Sequence, residues 1–341
     1  MKKNIEAGCV GLVLELFRTA PAGFPSGAAP EKRLRSPSVF RWETVTATVW
    51  RDALAFCVAH SITAVLFETI VQLPEERRPP QGIWNAWQAH AQNTVLNYYR
   101  YVGLTSAVCR LFAGNGIHAV VLKGVTLSAC YPVQETRKMA DVDVLVADPE
   151  EYLAAVKLLD AQGYKRCHAG RHDVDHHETF VYKQSEEDRP LLLELHSALV
   201  DGFGVEGADR RLNGVSREMI AGLSEMDLFG NQIPVLAPTS DAFYLLLHMT
   251  AHFEVCGFGV RQLFDWVFFL MHWQGQLDVP RLQAWCRNGP DGLLQAVTAI
   301  CVGRLGCPRP AAPGIERDSC KQHGGRAVCG YIGKRRLWQE R

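Results

Sequence analysis

The sequence predicts an α/β (α+β) chain: a small mixed sheet in the middle, with helical regions on either side. Three observations predict it. Apolar residues recur at helical spacing from Trp84 to Phe112 and again after Pro238. Between these stretches, short β-rich runs are separated by helix-capping residues. The run ADVDVLVAD alternates with a period of two, as a strand with two unlike faces does. The middle therefore reads helix, strand, helix, strand, helix, strand, strand, an order that suits a mixed sheet covered by helices.

The elements follow in order. Residues 20–37, rich in Pro, Gly, Ala and Ser around EKRLR, read as a loop after a short first helix, and Leu73 to Gly82 as a second break. Val95, Tyr98, Val102, Thr105, Val108 and Phe112 then form one helical face, which Asn115-Gly116 ends. His118 to Leu122 is a strand closed by Lys123-Gly124, and a short helix runs on to Tyr131. In the next strand Val142, Val144 and Val146 point one way and Asp141, Asp143 and Leu145 the other. Asp148 is placed as an N-cap, Pro149 suits the first turn, Glu150 and Glu151 favour the positive helix end, and Gly163 suits the C-terminal cap. Strands are expected near 179–183 and 191–199. After Pro238 come two helical runs, TSDAFYLLLHMTAH and GVRQLFDWVFFLMHW. The expected division is a helical region 1–94, a sheet domain 95–236, a second helical region 237–305, and a loosely ordered tail 306–341 without apolar periodicity.

With 48% hydrophobic and 21% charged residues, the 341-residue chain has the composition of a globular protein with a sizeable core. A formal net charge of zero gives it no general electrostatic grip on nucleic acid or anionic membrane. The most apolar stretch, Phe243 to Met271, holds His248, His252, Glu254, Arg261 and Asp265; hydrocarbon penalises so many ionisable groups, so these are read as buried helices and no membrane is expected. The eleven cysteines are odd in number and contain no CxxC pair, and the N-terminal apolar run is broken by Glu6 and Glu15 with no clean cleavage site. The expectation is a cytoplasmic protein with reduced thiols.

Asp141 and Asp143 are the sharpest feature. Two acids on one strand face repel each other and sacrifice strand propensity; a shared divalent cation offsets both costs, and a strand end facing water is the plain alternative. In LLLELHSAL, Leu192, Glu194 and His196 share one face and Leu191, Leu193 and Leu195 the other. A glutamate and a histidine in so apolar a strand need a partner, such as Arg137, or a job. The job is to complete a carboxylate set for two metal ions, which activate an acceptor hydroxyl and stabilise a leaving pyrophosphate. At Lys123-Gly124 the glycine lets backbone approach a phosphate, the helix start offers free N–H groups and the lysine adds a charge. Arg137 either meets a triphosphate or neutralises the acids. His168, His172, His176 and His177 read as polar loop histidines, and Cys307, Cys320, His323 and Cys329 match no zinc-site spacing.

The run LKGVTLSACYPVQETRKMADVDVLV followed by LLLELHSAL resembles the uncharacterised nucleotidyltransferase family of the DNA polymerase β-like superfamily, over about residues 95–272. The matching positions are Lys123-Gly124, Arg137, Asp141 and Asp143, Gly163-Tyr164, His176 or His177, and Glu194-Leu195-His196, with His248, His252, Arg261 and Asp265 downstream. The resemblance implies a polymerase-β-like nucleotidyltransferase fold. It also implies Mg²⁺-dependent transfer of a nucleoside monophosphate from an NTP such as ATP to an acceptor, releasing pyrophosphate. Asp141, Asp143 and Glu194 would be catalytic and hold the metal; Lys123, Gly124, Arg137 and His196 would serve the nucleotide. A small molecule or a protein is the expected acceptor, with neutral charge counting against nucleic acid. One departure is that Gly124 precedes Val125, so the serine contact to phosphate common in the wider superfamily is missing. Two rival classes share these residues: a non-catalytic nucleotide-binding or scaffold protein, and a metal-dependent phosphohydrolase.

Overall fold

The computed structural model describes residues 8–19, 40–167, 177–183, 185, 187, 189–199, 206–255, 257, 259–287 and 290–308. Most of the tail, together with His168, His172, His176, Cys320, His323 and Cys329, lies outside the described residues. In chain order the helices and strands open with α1 (Cys9–Arg18), α2 (Ala47–Ala59), α3 (Thr63–Gln72), α4 (Gln81–Ala113), β1 (Val120–Leu122), α5 (Val125–Ser128) and β2 (Val142–Leu145). Then come α6 (Pro149–Ala161), β3 (Lys165–Arg166), β4 (His177–Tyr182), β5 (Leu191–His196), α7 (Glu206–Ala221), β6 (Leu223–Leu228) and β7 (Asn231–Leu236). The remainder is helical: α8 (Pro238–Val255), α9 (Val260–His272), α10 (Val279–Cys286) and α11 (Asp291–Arg304). Two compact units result. One takes the described residues of 1–95, 130–137 and 249–341, the other those of 96–129 and 138–248.

The first unit is helical. Leu12, Leu16 and Phe17 of α1 are fully buried or nearly so, and Phe17 stacks on Phe264 of α9 with ring centroids 3.7 Å apart. Trp87, at the start of α4, donates its indole N–H to the Thr63 carbonyl at 2.9 Å. The short segment 130–137 is fastened to α9 by charge. Arg137 grips both oxygens of Asp265, Nε to Oδ1 at 2.8 Å and Nη2 to Oδ2 at 3.1 Å, and the Tyr131 hydroxyl donates to Oδ1 at 2.7 Å. All three side chains are buried. Burial alone would raise the Asp265 carboxyl; the Arg137 guanidinium outweighs it and holds that carboxyl below its ordinary range. No helix among the described residues is long and apolar enough to cross a membrane.

The second unit is a seven-stranded mixed sheet in the order β3-β4-β5-β2-β1-β7-β6, with β2 parallel to β5, β1 parallel to β7 and the other neighbours antiparallel. The expected strands at 118–122, 141–146 and 191–196 are thus the three central neighbours β1, β2 and β5. Val142, Val144 and Val146 enter one core with Val121, Leu191, Leu193 and Leu195, and Tyr98, Val102, Val108 and Phe112 of α4 join it. The opposite face is also covered, since Asp143 and Leu145 are buried. Both predicted helix stops hold, with Gly116 at φ 71° and Gly163 at φ 82°. Asp148 caps α6 by accepting from the backbone N–H groups of Glu150 and Glu151.

Four elements of the sheet unit were not expected: β3, α7 and the two strands of the β6–β7 hairpin. The hairpin turns at Phe229-Gly230, both left-handed (φ 53° and 82°), as a two-residue turn between twisted strands requires. Its strands are half polar and β7 carries Pro234, which argues against a strand on sequence grounds.

Candidate active site

Register gathers the site. β1, β2, β5 and β4 place Leu122, Asp143, Glu194 and Thr179 in one row, and β2, β5 and β4 place Leu145, His196 and His177 in the next. The parallel pairing of β2 with β5 therefore puts Asp143 directly beside Glu194, with His196 two residues on along the same face. The entry of β2 is fixed from α4. Asn97 donates to the Met139 carbonyl at 2.8 Å, and Tyr101 one turn on donates to the Ala140 carbonyl.

Lys123 reaches the row by breaking the strand rule. Alternation along β1 would turn its side chain to the core face beside Val121. Instead Lys123 and Gly124 are both left-handed (φ 43° and 52°), which ends the strand and redirects the lysine. The conformation is ordinary for glycine and strained for lysine. The Lys123 ammonium lies 2.9 Å from Asp143 Oδ1. His196 Nε2 is 3.1 Å from the same oxygen and 3.7 Å from Glu194 Oε2. Asp143 Oδ2 is buried without a hydrogen-bond partner.

The electrostatics follow from this crowding. Burial, the largest single influence on each, would raise the Asp143 carboxyl and lower the Lys123 ammonium, but the neighbouring groups together outweigh it: Lys123 and His196 keep Asp143 well below the carboxylate range, and Asp143, Tyr244 and Asp141 keep Lys123 well above the usual lysine value. Glu194 bears the repulsion. Burial, then the charges of Asp143 and Asp141, push its carboxyl up to about 8, against the pull of Lys123. Tyr244 of α8 is buried beside the group; burial first, and the Asp143 charge after it, raise its phenol, with Lys123 opposing.

One ligand atom each from Asp143, Glu194 and His196 lies within 4.8 Å of the others. Two carboxylates and an imidazole, with one Asp143 oxygen buried and unpartnered, fit a divalent cation. Of the predicted residues, the structure thus brings Lys123, Asp143, Glu194 and His196 together. Asp141, half-buried just before β2, stays outside the ligand cluster and acts on Lys123 and Glu194 through its charge. Gly124 caps the start of α5. Arg137, expected at a triphosphate or among the acids, is held by Asp265 in the other unit. Tyr244 was missed; in the run DAFYLLLHMTAH a tyrosine four residues before a histidine reads as core. His177 stands with its ring 5.0 Å from that of His196.

Among solved structures, an antigenic nucleotidyltransferase-like protein from Paracoccidioides brasiliensis aligns with a TM-score of 0.37 and 11% identity, over 65% of this chain and 96% of that one. No curated protein matches. The row of residues just described falls inside a longer match: residues 46–290 fit the family described as uncharacterised nucleotidyltransferase, and the chain belongs to that family.

Proposed function

We propose that this protein transfers a nucleoside monophosphate from an NTP to an acceptor nucleophile, with a divalent cation and release of pyrophosphate. The observation that carries this reading is the clustering of Asp143, Glu194 and His196, with one ligand atom of each within 4.8 Å of the others and a buried Asp143 oxygen that has no hydrogen-bond partner. These three side chains would hold the cation, with Asp141 adding negative charge at the entry of β2. A bound cation neutralises phosphate charge and makes an acceptor hydroxyl more acidic.

The remaining roles belong to the chain. Glu194, 25% exposed at its side chain, is the carboxylate an acceptor can reach; Asp143, at 0%, is not. Held ionised by the cation it would help bind, the Glu194 carboxylate takes the acceptor proton as the acceptor oxygen bonds to the α-phosphorus. The bond from that phosphorus to the α,β-bridging oxygen breaks, and its electron pair leaves on pyrophosphate. Gly124, with no side chain at a left-handed position, allows close approach of the triphosphate to backbone.

The test is transfer of label from each α-³²P-NTP in turn, with Mg²⁺ or Mn²⁺, to the protein itself or to a cell extract as acceptor source. Labelled product and pyrophosphate are expected, falling about 10²-fold or more in Glu194→Gln. NTP binding without transfer would replace this reading with the non-catalytic one. Label released only to water would favour a phosphohydrolase.

A further inference from the structure

We infer that the site takes one divalent cation rather than two, because the Lys123 ammonium holds the second cation position permanently. This rests on the cation-assisted reading above and narrows it. A carboxylate that bridges two ions uses one oxygen for each. In this chain the two oxygens of Asp143 are not equivalent. Oδ1 already accepts Lys123 at 2.9 Å and faces His196 at 3.1 Å, while Oδ2 is buried and unpartnered. A metal ion needs an oxygen at about 2.0–2.6 Å, and of the two Asp143 oxygens only Oδ2 is without a hydrogen-bond partner.

Lys123 is no surface lysine that a second ion displaces at small cost. Its side chain is 12% exposed, and its backbone is held at φ 43°, the conformation that turns it away from the core face and onto Asp143. Leaving Asp143 would strand a buried ammonium. Charge points the same way. The formal charges of Asp141, Asp143 and Glu194 are balanced by one ammonium and one divalent ion. A second divalent ion would leave an excess of positive charge in a largely buried site before any nucleotide arrives. Lys123 then supplies as a fixed covalent group the charge that a second ion supplies in a two-metal site.

The test is site-resolved. Crystals of the full chain are grown with Mn²⁺, an ion suited to a mixed carboxylate–imidazole set, and its anomalous scattering is mapped at Asp143. One peak, on the Oδ2 side, is expected for the native protein, and one for Lys123→Arg. Lys123→Gln should show two. In solution, loss of the free-Mn²⁺ electron paramagnetic resonance signal should give the same counts at the site. Two ions at Asp143 in the native protein overturn the inference and leave the proposed function standing. A single ion in Lys123→Gln also overturns it, since the lysine would not be what limits the count. No ion at Asp143 in any form removes the cation-assisted reading itself. If Lys123→Gln does not fold, the native count still decides.

Discussion

At the scale of single residues, the buried ion pair and the acid beside it respond to perturbation in opposite ways. Asp143→Asn leaves the Lys123 ammonium without its partner, so the variant should lose about 3–5 kcal/mol of stability, the cost of breaking a buried pair from one side. Lys123→Met combined with Asp143→Asn should recover much of that loss, and urea midpoints of the four forms measure the coupling. Additive losses would show that the pair carries no interaction energy. Glu194 gives a pH signature. Its folded value of about 8 lies above the ordinary carboxyl value of about 4.3, so its protonated form favours the fold. That contribution is complete below about pH 4.3 and is lost as pH rises through about 8. In EDTA the urea midpoint should therefore fall between pH 5 and pH 8, and Glu194→Gln should flatten the fall. Asp143, held low, stays ionised across that window and adds no slope.

At the scale of elements, β5 separates packing from chemistry by alternation. Leu193, fully buried on the core face, should cost roughly 2–5 kcal/mol when cut to alanine, with any transferase activity lost only in step with the folded fraction. Glu194→Gln, one residue on, should lose activity and keep stability; if both variants fail in the same way, the strand does not divide its labour by face. This division was legible in the sequence because LLLELH carries its period of two openly, as do the caps at Asp148, Gly116 and Gly163. The β6–β7 hairpin was hidden by Pro234 and by strands whose outer faces are polar. Its turn leaves Phe229 69% exposed, so the turn residues make little core. Gly230→Ala, at φ 82°, should destabilise by about 1–2 kcal/mol, measured by thermal or urea unfolding. Lys123 was read as a site residue at a phosphate, but its direct pairing with Asp143 was illegible for a different reason. Period-two alternation, the rule that found Asp143, sends Lys123 to the wrong face, and only a backbone conformation rare for lysine brings it back. Arg137 was noticed without its partner, because Asp265 lies 128 positions away and no local pattern links them.

At the scale of the whole molecule, the two units are not consecutive lengths of chain. Segment 130–137 leaves one and is fastened in the other through Arg137, Tyr131 and Asp265. A fragment of residues 96–248 would keep the full carboxylate row yet carry Arg137 and Tyr131 without Asp265. In the intact chain Asp265→Asn should cost about 3–5 kcal/mol, since a buried guanidinium loses its counter-charge. Because Asp265 is held low, its contribution is present at neutral pH and is lost as pH falls through its depressed folded value. The same clasp has a consequence in time. A ribosome making roughly 5–20 residues per second releases Lys123, Asp143, Glu194 and His196 some seconds before Asp265. The nascent sheet therefore spends that interval with its β1-to-β2 connection lacking the Asp265 clasp. The hold of Asp265 on Tyr131 and Arg137 can form only once α9 has been made.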